Sequence, residues 1–101
     1  MKLEIKPSHL KNKKLDAVFT RDNGRTKTVP FGAIKPNGEK YDDYTIKKNI
    51  EQRTRYRNRH QKNENHSNPM TAGALSYYIL WGDSTNIKTN IKSFKEKFNL
   101  T

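Results

Sequence analysis

The chain contains no cysteine. Disulfide cross-links, thiolate-based zinc sites and thiol nucleophiles are thereby excluded. No apolar run approaches the roughly 18 residues needed to span a bilayer, so membrane insertion is not expected. The opening stretch MKLEIKPSHL lacks the continuous apolar segment of a signal peptide, which argues against classical secretion. Acidic residues are scarce: 10 Asp and Glu stand against 21 Lys and Arg, a net charge of +11 over 101 residues. Apolar types reach only 31%, below the usual share for globular domains, so a modest core is expected. The length suits one domain and is too short for two good cores.

What is plentiful is positive charge, unevenly placed. Residues 1–14 hold five lysines and one glutamate and read as a basic flexible N-terminal arm, in which Leu3 and Ile5 alternate as in a short edge strand ended by Pro7. Lys11, Lys13 and Lys14 within it are candidates for an electrostatic arm. Residues 15–43 balance their charges. Between Lys47 and Lys62, seven basic residues oppose only Glu51. Such density repels itself and is relieved by a polyanion, whose condensed counterions are released on binding.

Residues 15–101 read as a single α+β domain, with a small N-terminal β-hairpin (three strands if the arm joins it) packed with three helices. Leu15, Ala17 and Phe19 alternate, as do Val29 and Phe31, and Asn23-Gly24 marks the turn. A three-residue loop Asn23-Gly24-Arg25 would pair Phe19 with Val29 and Ala17 with Phe31, placing all five apolar side chains on one face. Pro36-Asn37-Gly38 marks a loop. Thr45 or Asp43 could cap a first helix over about Ile46–Asn63. Its first turn, with Ile46 and Ile50, is expected to dock on the core, and its RTRYRNRH portion to stand in solvent or against a charged partner. There Arg53, Arg57 and His60 follow one face, with Arg55, Arg59 and Lys62 on another. Thr71 reads as the cap of a second helix over Ala72–Trp81, terminated by Gly82. Ile87, Ile91, Phe94 and Phe98 form the apolar stripe of a last helix capped by Ser84 or Thr85.

The basic segment carries the functional expectation. Lys47, Lys48, Arg53, Arg55, Arg57, Arg59 and Lys62 are candidate phosphate contacts, because the planar arginine fork grips phosphate oxygens. Arg21, Arg25 and Lys27 at the hairpin tip are a second basic group. Tyr56, between two arginines, is a candidate for stacking on a base. Trp81 is a core residue whose ring could also anchor a protein interface. Nothing in the pattern reads base edges, so contacts that position rather than specify are expected. His9, His60 and His66 lack metal-ligand spacing, and no nucleophile–base pattern or Walker motif is present, so neither a cofactor, a metal nor catalysis is expected.

The ordered set KKLDAVF, GRTKTVPFGA, DDYTIKKN, RYRNRHQKNE, NPMTAGALSYYILWG and IKSFKEKFNL, from about Lys13 to Leu100, resembles a family of short basic proteins encoded by large double-stranded DNA viruses of algae and protists. The connection from Phe31 to Tyr44 is longer here than in that family, and Tyr77-Tyr78 stands where an aromatic beside a basic residue is usual. The resemblance transfers no biochemical activity. It implies a virion or genome-associated role, within a virion or an infected cell's nucleus or cytoplasm. The expected function is therefore non-catalytic, largely sequence-independent nucleic-acid binding, with double-stranded DNA first and RNA second as partner. The competing expectation is a virion structural or cementing protein that meets acidic surfaces of other virion proteins. Oligomeric state is left open.

Overall fold

The computed structural model describes residues 1–39, 41–61 and 66–101. Three antiparallel strands, β1 (Lys2–Pro7), β2 (Lys13–Thr20) and β3 (Thr26–Ala33), form a sheet in the order β1-β2-β3. The leading segment thus joins the sheet as its edge strand, and Leu3 is buried opposite Phe19. Pro7 and Pro30 both fall on edge strands, where a missing N–H leaves no ladder bond broken inside the sheet. The fold is α+β, the small N-terminal sheet packing against helices.

The hairpin faces its apolar residues as expected but turns one residue earlier. Leu15 lies opposite Phe31, Ala17 opposite Val29 and Phe19 opposite Lys27. The loop is Asp22-Asn23-Gly24, closed by the Arg21 amide donating to the Arg25 carbonyl at 2.8 Å and the Gly24 amide donating to the Arg21 carbonyl at 2.9 Å. Gly24 occupies the last loop position with φ +84°, the left-handed conformation that a three-residue hairpin loop needs there and that glycine adopts without penalty. Moving the loop by one residue shifts the pairing by two, which preserves the faces.

After the loop, α1 is a single turn (Tyr44–Lys47) capped by Asp43, whose side chain accepts from the Thr45 and Ile46 amides. Lys48 then takes a left-handed conformation with φ +57° and ends it. Asn49 restarts the chain by accepting from the Gln52 amide at 3.1 Å, and α2 runs Ile50–Gln61. The continuous first helix expected from Ile46 is therefore two pieces, and Asn63 lies outside the described residues. Ile46 and Ile50 are 47% and 56% exposed instead of docking on the core.

Thr71 caps α3 (Ala72–Leu75), accepting from the Ala74 amide at 3.2 Å. The chain continues as a π-helical turn, Ser76–Leu80, with the Trp81 amide reaching back to the Ser76 carbonyl. Gly82 follows where a Cβ would meet the Tyr78 carbonyl at 2.2 Å, so only glycine lets the wide turn close. The last helix, α4 (Ile87–Lys97), is capped by Asn86 rather than Ser84 or Thr85. Asn90, buried on α4, donates to the Ile79 and Ser84 carbonyls and accepts from the Ser84 amide. This pins the π turn to α4. Phe19, Phe31, Leu3, Leu75, Ile79 and Phe94 make the center of the core.

Candidate nucleic-acid interface

On α2 the arginines separate into the two rows that their spacing suggests. Arg53 donates from Nε to the Gly82 carbonyl at 2.7 Å and from Nη2 to Asp83 at 2.7 Å, with its guanidinium 5.5 Å from the center of the Tyr44 ring. Arg57 donates from Nη1 to the Trp81 carbonyl at 2.9 Å and lies 4.0 Å from the center of the Tyr77 ring. Carbonyls freed where the π turn ends need donors; these two arginines supply them. Both are largely covered and serve the fold. The rod expected to stand clear of the apolar center is in fact clamped to it along this row.

Tyr56 is likewise engaged. Its ring stacks on Trp81 at 4.4 Å and on His60 at 4.1 Å between centroids. Two rings stacked that closely on a third must lie on opposite faces, so a base could reach Tyr56 only by displacing a neighbour. Trp81 is 7% exposed, too covered to anchor a partner. Both side chains instead form the floor of a cleft.

Arg55 and Arg59, one helical turn apart, are exposed and line that cleft, which measures about 690 Å³. Lys13 at the start of β2, and Lys35 just after β3, line it as well. Among the described residues neither Arg55 nor Arg59 enters an ion pair, whereas Lys35 lies 4.0 Å from Glu39 on the surface. Two acids, Asp42 and Asp43, also border the cleft. Asp43 is occupied: besides capping α1, it accepts from Lys14 Nζ at 2.7 Å, in a pair whose side chains are 6% and 2% exposed. Lys14 also donates to the Tyr41 carbonyl. It is a buried strut between β2 and the loop before α1, and not part of a solvated arm. The cleft is thus net positive, with cations projecting from more than one wall.

The remaining candidates lie elsewhere. Arg21 and Arg25 are exposed at the hairpin tip, beyond the Thr20–Thr26 pair, and Lys27 is exposed just inside it opposite Phe19, whereas Lys13 pairs with Ala33 at the other end of the same strands. Eight strand residues separate the ends by about 25 Å, so the tip and the cleft are distinct basic groups. Lys47 and Lys48 are exposed at the α1–α2 junction beside Ile46 and Ile50. Lys62 lies outside the described residues. Sequence reasoning missed Lys35 and Tyr41 as cleft residues, since only the long 34–43 connection folding back on β2 brings them there.

A serine, a histidine and an aspartate also meet at the β1–β2 turn. Ser8 Oγ donates to Asp16 at 2.7 Å, and the His9 amide and Nδ1 approach the same carboxylate at 3.1 and 2.5 Å. The aspartate is the hub and both side chains point at it, so the serine proton is held by a carboxylate and not by the imidazole. Burial alone would raise this carboxyl, but the hydrogen bonds from His9 and Ser8 outweigh it and hold it at about 2, below the ordinary 3.8. Its role is to brace the turn.

Residues 3–60 match a family of unknown function, DUF5754, and the chain belongs to that family. The matched span contains all of the sheet but Lys2 and includes the cleft cations Lys13, Lys35, Arg55 and Arg59; the carbonyls that receive Arg53 and Arg57 follow it. Searches of curated proteins and of solved structures found no match.

Proposed function

We propose that this protein binds nucleic acid through phosphate contacts, largely without regard to sequence, as a binding protein and not an enzyme. The observation that carries the reading is the pairing pattern on α2: Arg53 and Arg57 are consumed by the fold, while Arg55 and Arg59 stay exposed and, among the described residues, unmatched over a cleft that Lys13 and Lys35 also line. Cations held out in this way gain by replacing the condensed ions of a polyphosphate. Of the two acids that border the cleft, Asp43 is already committed to Lys14 and to the α1 cap, which leaves Asp42 alone among the cleft's cations, without the clustered acid, base or nucleophile that a catalytic reading needs. Resemblance to short basic proteins of large DNA viruses supports a virion or genome-associated setting, with DNA or RNA as the natural polyanion.

The test is a salt titration of affinity for matched duplex DNA, single-stranded DNA and RNA of scrambled sequences. Binding should weaken steeply with salt and vary little with sequence. The variant Arg55→Ala/Arg59→Ala should weaken binding and lower the slope of log K against log salt by about 1.5–2. No binding at low salt, or an unchanged slope in the variant, would overturn the reading.

A second reading rests on a different place. Ile46 and Ile50 are exposed next to Lys47 and Lys48, an apolar step with a basic flank that suits an acidic protein surface, as a cementing role in a virion would require. Pull-down of an acidic virion protein, lost in Ile46→Ser/Ile50→Ser but kept in Arg55→Ala/Arg59→Ala, would favour it.

A further inference from the structure

Resting on the nucleic-acid reading, we infer that the cleft takes a single strand, with a base stacking on Tyr41 while the sugar–phosphate chain meets Arg55 and Arg59. Two observations carry this. The first is shape. The cations stand on more than one wall of a concave space of about 690 Å³, Lys13 and Lys35 from the sheet end and Arg55 and Arg59 from α2. That volume falls within the roughly 300–1,000 Å³ of pockets that enclose small ligands. A duplex is a stiff rod that meets protein cations from outside, and inward-facing cations cannot follow its two phosphate ridges. A flexible single strand can lay a nucleotide or two between the walls.

The second observation is Tyr41. Of the aromatic residues lining the cleft, Phe31 and Trp81 are buried and Tyr56 has both ring faces covered, but Tyr41 is 47% exposed. Both polar groups of its backbone are tethered: the amide donates to the Ala33 carbonyl, and the carbonyl accepts from Lys14. Lys14 is in turn fixed by buried Asp43. The main chain is therefore held to the sheet while the residue stays half exposed at the cleft, with the Lys35 ammonium over its ring at 5.6 Å from the center. An exposed ring on an anchored backbone, beside cations, is the combination that single-strand binders use, because every base has a stacking face. Neither DNA nor RNA is favoured by these contacts, since the shared chemistry is an unpaired base and its flanking phosphates.

The experiment compares wild type, Tyr41→Ala, Tyr41→Phe and Arg55→Ala/Arg59→Ala. Each is titrated with a fluorescent 12-nucleotide single-stranded DNA, the RNA of the same sequence and the corresponding duplex. Wild type should prefer both single strands to the duplex. Tyr41→Ala should lose roughly five- to a hundredfold in single-strand affinity, with duplex affinity little changed, and Tyr41→Phe should retain it. Thermal melts of Tyr41→Ala close to wild type would confirm an intact fold. Equal affinity for the duplex, or an unchanged single-strand affinity in Tyr41→Ala, would overturn the inference while leaving phosphate binding in place if the arginine variant is weakened. Absence of binding to all three would remove both.

Discussion

On α2, Arg53 and Arg57 reach the carbonyls of Gly82 and Trp81, whereas Arg55 and Arg59, each two residues further on, remain exposed over the cleft. The same residue type on the same helix performs two tasks, decided by which side of α2 faces the end of the π turn. Lys14 belongs with the first pair, matched to buried Asp43, and Lys13, its sequence neighbour, lines the cleft with the second. Both lysines border the cleft, and what separates them is the buried Asp43 carboxylate that Lys14 reaches. A net charge of +11 therefore overstates what is available to a partner: part of it is spent inside the fold. Substitutions that separate stability from binding test the division directly.

The largest effect is expected at Lys14. Lys14→Met leaves the Asp43 carboxylate buried without its partner, and removing one member of a buried pair costs about 3–5 kcal/mol, a large part of the roughly 5–15 kcal/mol that holds a domain folded. The double variant Lys14→Met/Asp43→Asn should recover much of that loss, because asparagine still caps α1 and no charge is stranded. Urea unfolding of the four members of this cycle measures it. A single variant with wild-type stability would move Lys14 into the class of available cations.

Arg57 comes next. Arg57→Ala removes the donor to the Trp81 carbonyl and the cation over Tyr77, and should cost about 2 kcal/mol. Arg55→Ala should stay within about 0.5 kcal/mol of wild type, since Arg55 is exposed and its loss breaks no hydrogen bond or ion pair among the described residues. Comparing the two in one denaturation series is the most direct test of the two-row division. If they destabilise equally, the division fails.

Acid reaches the matched groups in another way. A free Asp carboxyl takes up its proton near 3.8, whereas the Asp16 carboxyl in the fold does so at about 2. Between those values the unfolded chain binds more protons, so the stability this group contributes is fully present above about pH 4 and is lost as pH falls toward 2. Ser8→Ala should weaken that dependence by removing one of the bonds that hold the carboxyl low. Thermal melts at pH 2–5 read it, and an identical acid profile in Ser8→Ala would detach Ser8 from the effect.

The sequence pattern made one half of this comparison legible. Spacing alone assigned Arg53 and Arg57 to one row and Arg55 and Arg59 to another, and alternation put Leu15, Ala17, Phe19, Val29 and Phe31 on one face of the hairpin. Thr71 as a cap and the α4 stripe followed from local chemistry as well. What local chemistry could not reveal was which row meets the fold. That depends on Trp81 and Gly82, more than twenty residues along the chain, whose carbonyls are freed by a π turn with no local signature. The break at Lys48 was hidden for a related reason: a lysine in the left-handed region is disfavoured locally. The hairpin loop was misplaced by one residue because Asn23-Gly24 fits several loop lengths, and only the backbone geometry of Gly24 decides among them.

The smallest expected effect is the most discriminating for Arg53. Its guanidinium touches both an acid, Asp83, and a backbone carbonyl, Gly82, each at 2.7 Å. Asp83 is 98% exposed, and an ion pair in that setting contributes about 0–1 kcal/mol. The Gly82 carbonyl is different, because Gly82 is buried and, among the described residues, its acceptor has no other donor. Asp83→Asn should therefore change stability by no more than about 0.5 kcal/mol, and added salt should matter little. Arg53→Ala should cost several times more. If Asp83→Asn is instead as damaging as Arg53→Ala, charge pairing holds this row in place, and the arginines over the cleft would differ from it only in having no acid paired to them among the described residues.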